Sequence, residues 1–180
     1  MSASATLARL TDLPDWPQRL TDFDPIFFEA SATTSFRSEE AKAAFRRRWL
    51  GRYLETWPHL THVALGPGGL LLGYIVGAHE NPATDPRFDD IGYFRALAPL
   101  CTRYPAHLHI NLAPDARGMG LGTRLVDAFL ADARMAGCPG VHLVTGRDSR
   151  NRSFYARNGF TLAASLDWGG TPIVMLARAP

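Results

Sequence analysis

The chain is poor in cysteine, lysine, net charge and long apolar runs, and each shortage closes a class of function. Its 180 residues include two cysteines, Cys101 and Cys138. These form neither a CxxC pair nor a metal-ligand spacing, and two thiols make no disulfide framework in a chain of this size. A reducing, cytoplasmic compartment is the expectation. A formal charge of +2 leaves no electrostatic footprint for nucleic acid. Lys42 is the only lysine, and the one tight cluster of cations, Arg46, Arg47 and Arg48, lies in a helical pattern where a solvated face is the simplest meaning. No run approaches the roughly 18 apolar residues of a membrane span, and the opening MSASATLARL lacks the charged-then-apolar order of a targeting segment. His59, His62 and His142 have no supporting ligand pattern, so no metal is expected.

What is present is an ordinary globular composition, 46% apolar and 20% charged, at a length that suits a single domain over residues 1–180. Ala5 to Leu10 reads as a short strand, followed by a loosely defined helical region through about Ala30. Ser38 before Glu39 and Glu40 is a helix start, with a capping hydroxyl and acids at the positive end of the dipole. Ala41, Ala44, Phe45, Trp49, Tyr53, Leu54 and Trp57 then form one apolar face, and Pro58 marks its end. Leu60 to Leu65 and Leu70 to His79 are apolar, β-rich runs separated by Gly66-Pro67-Gly68-Gly69, which predicts an antiparallel hairpin. Residues 81–105 carry Pro82, Pro86, Pro99 and Pro105 without a clear period and read as an insertion near a substrate mouth, with a helical turn over Ile91 to Leu97.

After Pro105 the order becomes strand (Ala106 to Leu112), glycine loop, helix (Leu121 to Ala136), strand (Val141 to Thr145), helix (Arg150 to Asn158), strand (Phe160 to Leu166). A last strand, Ile173 to Ala177, follows Gly169-Gly170-Thr171-Pro172. The fold class is α/β with a mixed sheet of about seven strands and helices on both faces. The loop Arg117-Gly118-Met119-Gly120-Leu121-Gly122 runs from a strand into a helix, where converging backbone N–H groups and the dipole suit a pyrophosphate, with the Thr123 hydroxyl at the first turn. Two readings stand, a phosphate cradle and a plain glycine-rich turn. The dinucleotide fingerprint fits poorly because Gly118, Gly120 and Gly122 merely alternate and no acid lies near Val141, and a P-loop would need a lysine.

Arg117, Gly120 and Gly122 resemble the signature of the GNAT acetyltransferases, Arg or Gln, two residues, Gly, one residue, Gly or Ala. Asn151 and Phe154-Tyr155-Ala156-Arg157-Asn158-Gly159-Phe160 resemble that family's second segment, at the family's order and spacing. The resemblance implies acetyl-CoA as cofactor, held by residues 117–123, by Asn151 and Tyr155, and by Ile110, Asn111 and Leu112 along a fourth strand splayed from the fifth. It also implies transfer of an acetyl group to an amine by direct attack, with Tyr155 as the acid that protonates the departing thiolate. Tyr104-Pro105-Ala106-His107-Leu108-His109-Ile110 is similar to a segment of the acetyltransferase-like C-terminal domain of O-GlcNAcases and its free-standing bacterial relatives, although Asn111 stands where that group has Asp.

Strand alternation puts His107, His109 and Asn111 on one face, and such a polar face either lines a wet cavity or satisfies itself. Either histidine, His107 or His109, is open to a base role, with His109 taken first and Glu80 as the other candidate. Tyr155 is equally open to a reading as a packed ring. A silent acyl-CoA-binding module and a nucleotide-dependent oxidoreductase compete with the enzyme reading. The expected acceptor is a small-molecule or peptide amine, and a homodimer stands among the expected partners.

Overall fold

The computed structural model describes residues 5–31, 33 and 35–180. The first four residues, part of the segment read for a targeting signal, lie outside the described residues. Seven strands form a mixed sheet: β1 (Thr6–Arg9), β2 (His62–Leu65), β3 (Leu71–Ala78), β4 (Ala106–Leu112), β5 (Val141–Gly146), β6 (Thr161–Trp168) and β7 (Thr171–Arg178), in the order β1-β2-β3-β4-β5-β7-β6. The β4–β5 pair is parallel, with register described for Ala106 with Val141 and His107 with His142, and β4 continues to Leu112. The chain divides into two compact units, Met1–Gly77 with His109–Phe129, and Ala78–Leu108 with Leu130–Pro180.

In the first unit the hairpin expected around Gly66–Gly69 forms, with β2 and β3 antiparallel and Gly68 and Gly69 at positive φ. Its first strand starts two residues later than the apolar run because Pro58–Leu60 makes a 3-10 turn. The N-terminal helical region is a 3-10 segment, Trp16–Thr21, followed by α1 (Phe23–Ala30). Ser38 caps α2 (Glu39–Arg46) as expected, its Oγ accepting from the Ala41 N–H at 3.2 Å. The helix then departs from the expectation: Arg47–Gly51 is a π-helical segment before α3 (Arg52–Thr56).

The cause is in the spacing. Ala41, Phe45, Trp49, Tyr53 and Trp57 recur every four residues. In an ideal α-helix each such step overshoots a full turn by about 40°, so four steps would carry Trp57 about 160° from Ala41. One extra residue taken up by a π turn recovers about 100° of that drift. Tyr53 and Trp57 thereby stay on the buried side with Leu50 and Leu54.

In the second unit, residues 81–105 are more regular than their prolines suggest. A 3-10 turn (Pro86–Phe88), α4 (Tyr93–Ala96) and α5 (Ala98–Arg103) bury Phe88, Ile91, Phe94, Leu97 and Cys101. Pro86 and Pro99 sit in the first turns of their elements, where the missing N–H costs nothing. Helix α6 (Leu121–Met135) crosses from the first unit into the second and ends at Gly137, with φ 71° and the Cys138 N–H returned to the Ala133 carbonyl. Helix α7 (Arg152–Arg157) starts later than expected and stops at Gly159, φ 81°. The β6–β7 hairpin turns on Gly169 and Gly170, both at positive φ.

Candidate active site

The loop after β4 runs directly into the N-terminus of α6. Arg117 is extended, and Gly118 and Gly120 adopt φ of 79° and 75°. A Cβ added at either would meet no atom within 4 Å. The space beside them is therefore open, and their backbone conformation, not packing, calls for glycine. Helix α6 closes its first bond from the Arg124 N–H to the Gly120 carbonyl, so the N–H groups of Leu121, Gly122 and Thr123 precede the ladder. Leu121 and Gly122 are buried while Gly118, Met119 and Thr123 are exposed. The Arg117 side chain is committed elsewhere: its Nε–H donates to the Leu112 carbonyl at 3.2 Å and its Nη2 pairs with Glu29 of α1. What Arg117 offers a ligand is its backbone.

The residues of β4 from His109 to Leu112 are half-buried. Two of the three polar side chains of the face expected there, His109 and Asn111, are met by buried tyrosines, while His107 lies by the Pro105 carbonyl. Tyr53, fully buried, sets its hydroxyl 3.2 Å from His109 Nε2, and its ring meets the imidazole edge-on at 5.2 Å. Tyr74, also fully buried and tilted against the Phe23 ring, accepts from Asn111 Nδ2 at 2.9 Å. Burial pushes the Tyr74 phenol well above its ordinary range. Trp49, in the π segment, meets the His109 ring edge-on at 5.7 Å. None of these partners was legible, since Trp49 and Tyr53 on an amphipathic helix and Tyr74 on an apolar strand all read as core.

In the second unit, His107 is buried against Phe88 and Phe94 and stacks on His142 at 5.5 Å. His142 donates Nδ1–H to the Tyr104 carbonyl, while its Nε2 is buried without a hydrogen-bond partner. Burial lowers its pKa to about 4, so it stays neutral. Tyr155 sits in α7 with its ring against Phe154 and Phe160, 5% exposed. Burial raises its phenol above the usual range, which keeps the proton on at neutral pH. Asn151 precedes α7 but makes no capping bond; its Oδ1 accepts from the Thr145 hydroxyl at 3.1 Å. Glu80, half-exposed, accepts from the backbone N–H of His79.

Residues 67–162 match the family profile described as the acetyltransferase (GNAT) domain. The chain belongs to the GNAT family of acetyltransferases. GNAT enzymes draw their acetyl group from acetyl-CoA. Among solved structures the GNAT chain resembles SsHAT at 25% identity over 97% of this chain and 98% of that one, with a TM-score of 0.75. It also resembles a GNAT-family acetyltransferase from Desulfovibrio desulfuricans (19%, 98% and 99%, TM-score 0.66). Ard1 from Thermoplasma volcanium is a third likeness (19%, 97% and 96%, TM-score 0.60), and the two at 19% speak for the fold alone. Among the described residues no helix is long and apolar enough to cross a membrane.

Proposed function

We propose that this GNAT enzyme transfers the acetyl group of acetyl-CoA directly to the amine of a small molecule or peptide. The observation that carries the reading is the loop: two glycines at positive φ, with open space where side chains would stand, at the start of a 15-residue helix. In this reading the backbone N–H groups of Gly118, Met119, Gly120, Leu121, Gly122 and Thr123 hold the pyrophosphate, where the dipole of α6 favours negative charge. Ile110, Asn111 and Leu112 pair with the pantetheine arm, and Asn151 steadies it.

Bound acetyl-CoA supplies an acyl group already activated on sulfur. The chain's own residues manage protons and charge. His109 takes a proton from the incoming ammonium, freeing the lone pair that attacks the acyl carbon. A backbone N–H near Leu112 stabilises the carbonyl oxygen as it gains charge. As the C–S bond breaks, Tyr155 gives its proton to the leaving sulfur, a role for which a phenol kept protonated by burial is suited.

Within the family we infer kinship with the C-terminal domain of O-GlcNAcases, supported by the Tyr104–Ile110 segment. A reducing, cytoplasmic setting is supported by the free thiols of Cys101 and Cys138. Thermal denaturation with acetyl-CoA, NAD and ATP in parallel tests the cofactor. A ligand at 100 times its Kd stabilises by about 2.7 kcal/mol, and at ~2–4 °C per kcal/mol for a chain of this size that is a rise of roughly 5–11 °C. The rise is expected with acetyl-CoA alone; a response to NAD or ATP and none to acetyl-CoA refutes the reading.

A further inference from the structure

Three half-buried side chains of the first unit, Trp49, His109 and Asn111, are each held by neighbours that leave part of their surface uncovered. Tyr53 and Tyr74, both fully buried, fix the imidazole and the amide from behind through hydrogen bonds of 3.2 and 2.9 Å. A buried phenol needs a polar partner, so each pair is held by the tyrosine's own need as well as by the strand. Trp49 meets His109 from within the π segment Arg47–Gly51, and such segments are frequent at functional sites. A half-covered indole beside an imidazole is apolar and rich in π-electrons, and an aromatic face attracts an ammonium as well as a hydrocarbon arm.

We propose that Trp49, His109 and Asn111 form the acceptor subsite, that Tyr53 is the positioning residue for His109, and that the site selects primary amines carried on an apolar arm over polyhydroxylated amines. The inference rests on the acetyl-CoA reading above. Trp49 packs along the arm, His109 meets the amine, and Asn111 offers the one neutral polar contact of the three. Tyr53 touches no substrate; it holds the imidazole in one rotation.

The test measures CoA release at saturating acetyl-CoA with 2-phenylethylamine and glucosamine as probes, on wild type, Trp49→Ala, Trp49→Phe and Tyr53→Phe. Acetyl-CoA affinity is titrated on each protein alongside, and a folded variant binds the cofactor. Wild type is expected to favour 2-phenylethylamine in kcat/KM by about 10- to 200-fold, the range a small apolar contact commands. Trp49→Ala should lose that preference through KM, and Trp49→Phe should keep most of it. Should Trp49→Ala fail to fold, Trp49→Leu replaces it, keeping bulk without a ring. Tyr53→Phe should lower kcat with KM for the amine nearly unchanged, a split that loss of stability alone does not produce.

Equal use of the two amines, a preference for glucosamine, or an unchanged KM in the Trp49 variants overturns the proposal. So does cofactor binding without turnover of either probe. If wild type does not bind acetyl-CoA at all, the cofactor reading falls and takes this inference with it, an outcome distinct from the others.

Discussion

Gly120→Val separates a glycine kept for a ligand from a glycine kept for packing. At Gly120 the backbone has φ 75°, and an added Cβ meets nothing within 4 Å. With no clash at Cβ the cost to the folded protein is chiefly conformational, about 1–2 kcal/mol for a generic L-residue in the left-handed region and higher for a β-branched one. For a chain of this size each kcal/mol moves Tm by roughly 2–4 °C, so the variant should melt only a few degrees low. Binding should suffer far more, because the valine occupies the space where the phosphates approach the N–H groups. Hydrogen bonds to a charged group are worth about 1.5–3 kcal/mol each, and losing two lowers acetyl-CoA affinity by roughly 10²- to 10⁴-fold. Gly73→Ala is the control. Its Cβ would lie 2.3 Å from Leu112 Cδ2 and 3.0 Å from the Asn111 carbonyl, so overpacking should cost about 1–3 kcal/mol of stability. Calorimetric titration and thermal melts on both variants decide the matter. A folded Gly120→Val protein with wild-type affinity would refute the argument.

Tyr155→Phe keeps the ring against Phe154 and Phe160 and removes one proton donor, so turnover should fall by about 10²- to 10⁴-fold while acetyl-CoA affinity holds; steady-state rates equal to wild type, with chemistry limiting, would remove the role. Asn151→Ala loses the Thr145 hydrogen bond and should weaken cofactor binding modestly in the same titration, and unchanged affinity and Tm would make Asn151 a surface residue. His142 should make the fold acid-sensitive: its folded pKa of about 4 lies below the ordinary 6.5, so the unfolded chain binds the proton first. Stability is then complete above pH 6.5 and declines as pH falls toward 4, by up to roughly 3 kcal/mol. Denaturant melts across that range should show the decline in wild type and a smaller one in His142→Leu; identical slopes would exonerate His142.

The parts of this fold that the sequence announces are those where one residue type is obligatory. Gly68 and Gly69, Gly137, Gly159, and Gly169 with Gly170 all sit at positive φ where the chain was expected to turn or a helix to stop. Ser38 capped its helix for the same local reason. Residues 81–105 were harder to read because a proline breaks a helix interior but opens a first turn, and Pro86 and Pro99 do the latter. The π segment was written in the strict four-residue spacing from Ala41 to Trp57, a pattern easily taken for an ordinary amphipathic helix. The turn at Gly118 and Gly120 was legible because positive φ demands glycine. The partners of His109 and Asn111 were not, since Tyr53 and Tyr74 are fully buried and nothing in the linear pattern separates such a tyrosine from a core phenylalanine.

The most direct measurement of the central claim is release of free CoA thiol from acetyl-CoA by the purified enzyme, with and without a panel of primary amines, and with the acetylated amine identified by mass. Release that depends on an amine, matched one for one by its N-acetyl product and abolished in Gly120→Val, is the outcome this account predicts. Acetyl-CoA binding without amine-dependent release across the panel, or release that survives intact in Gly120→Val, would contradict it.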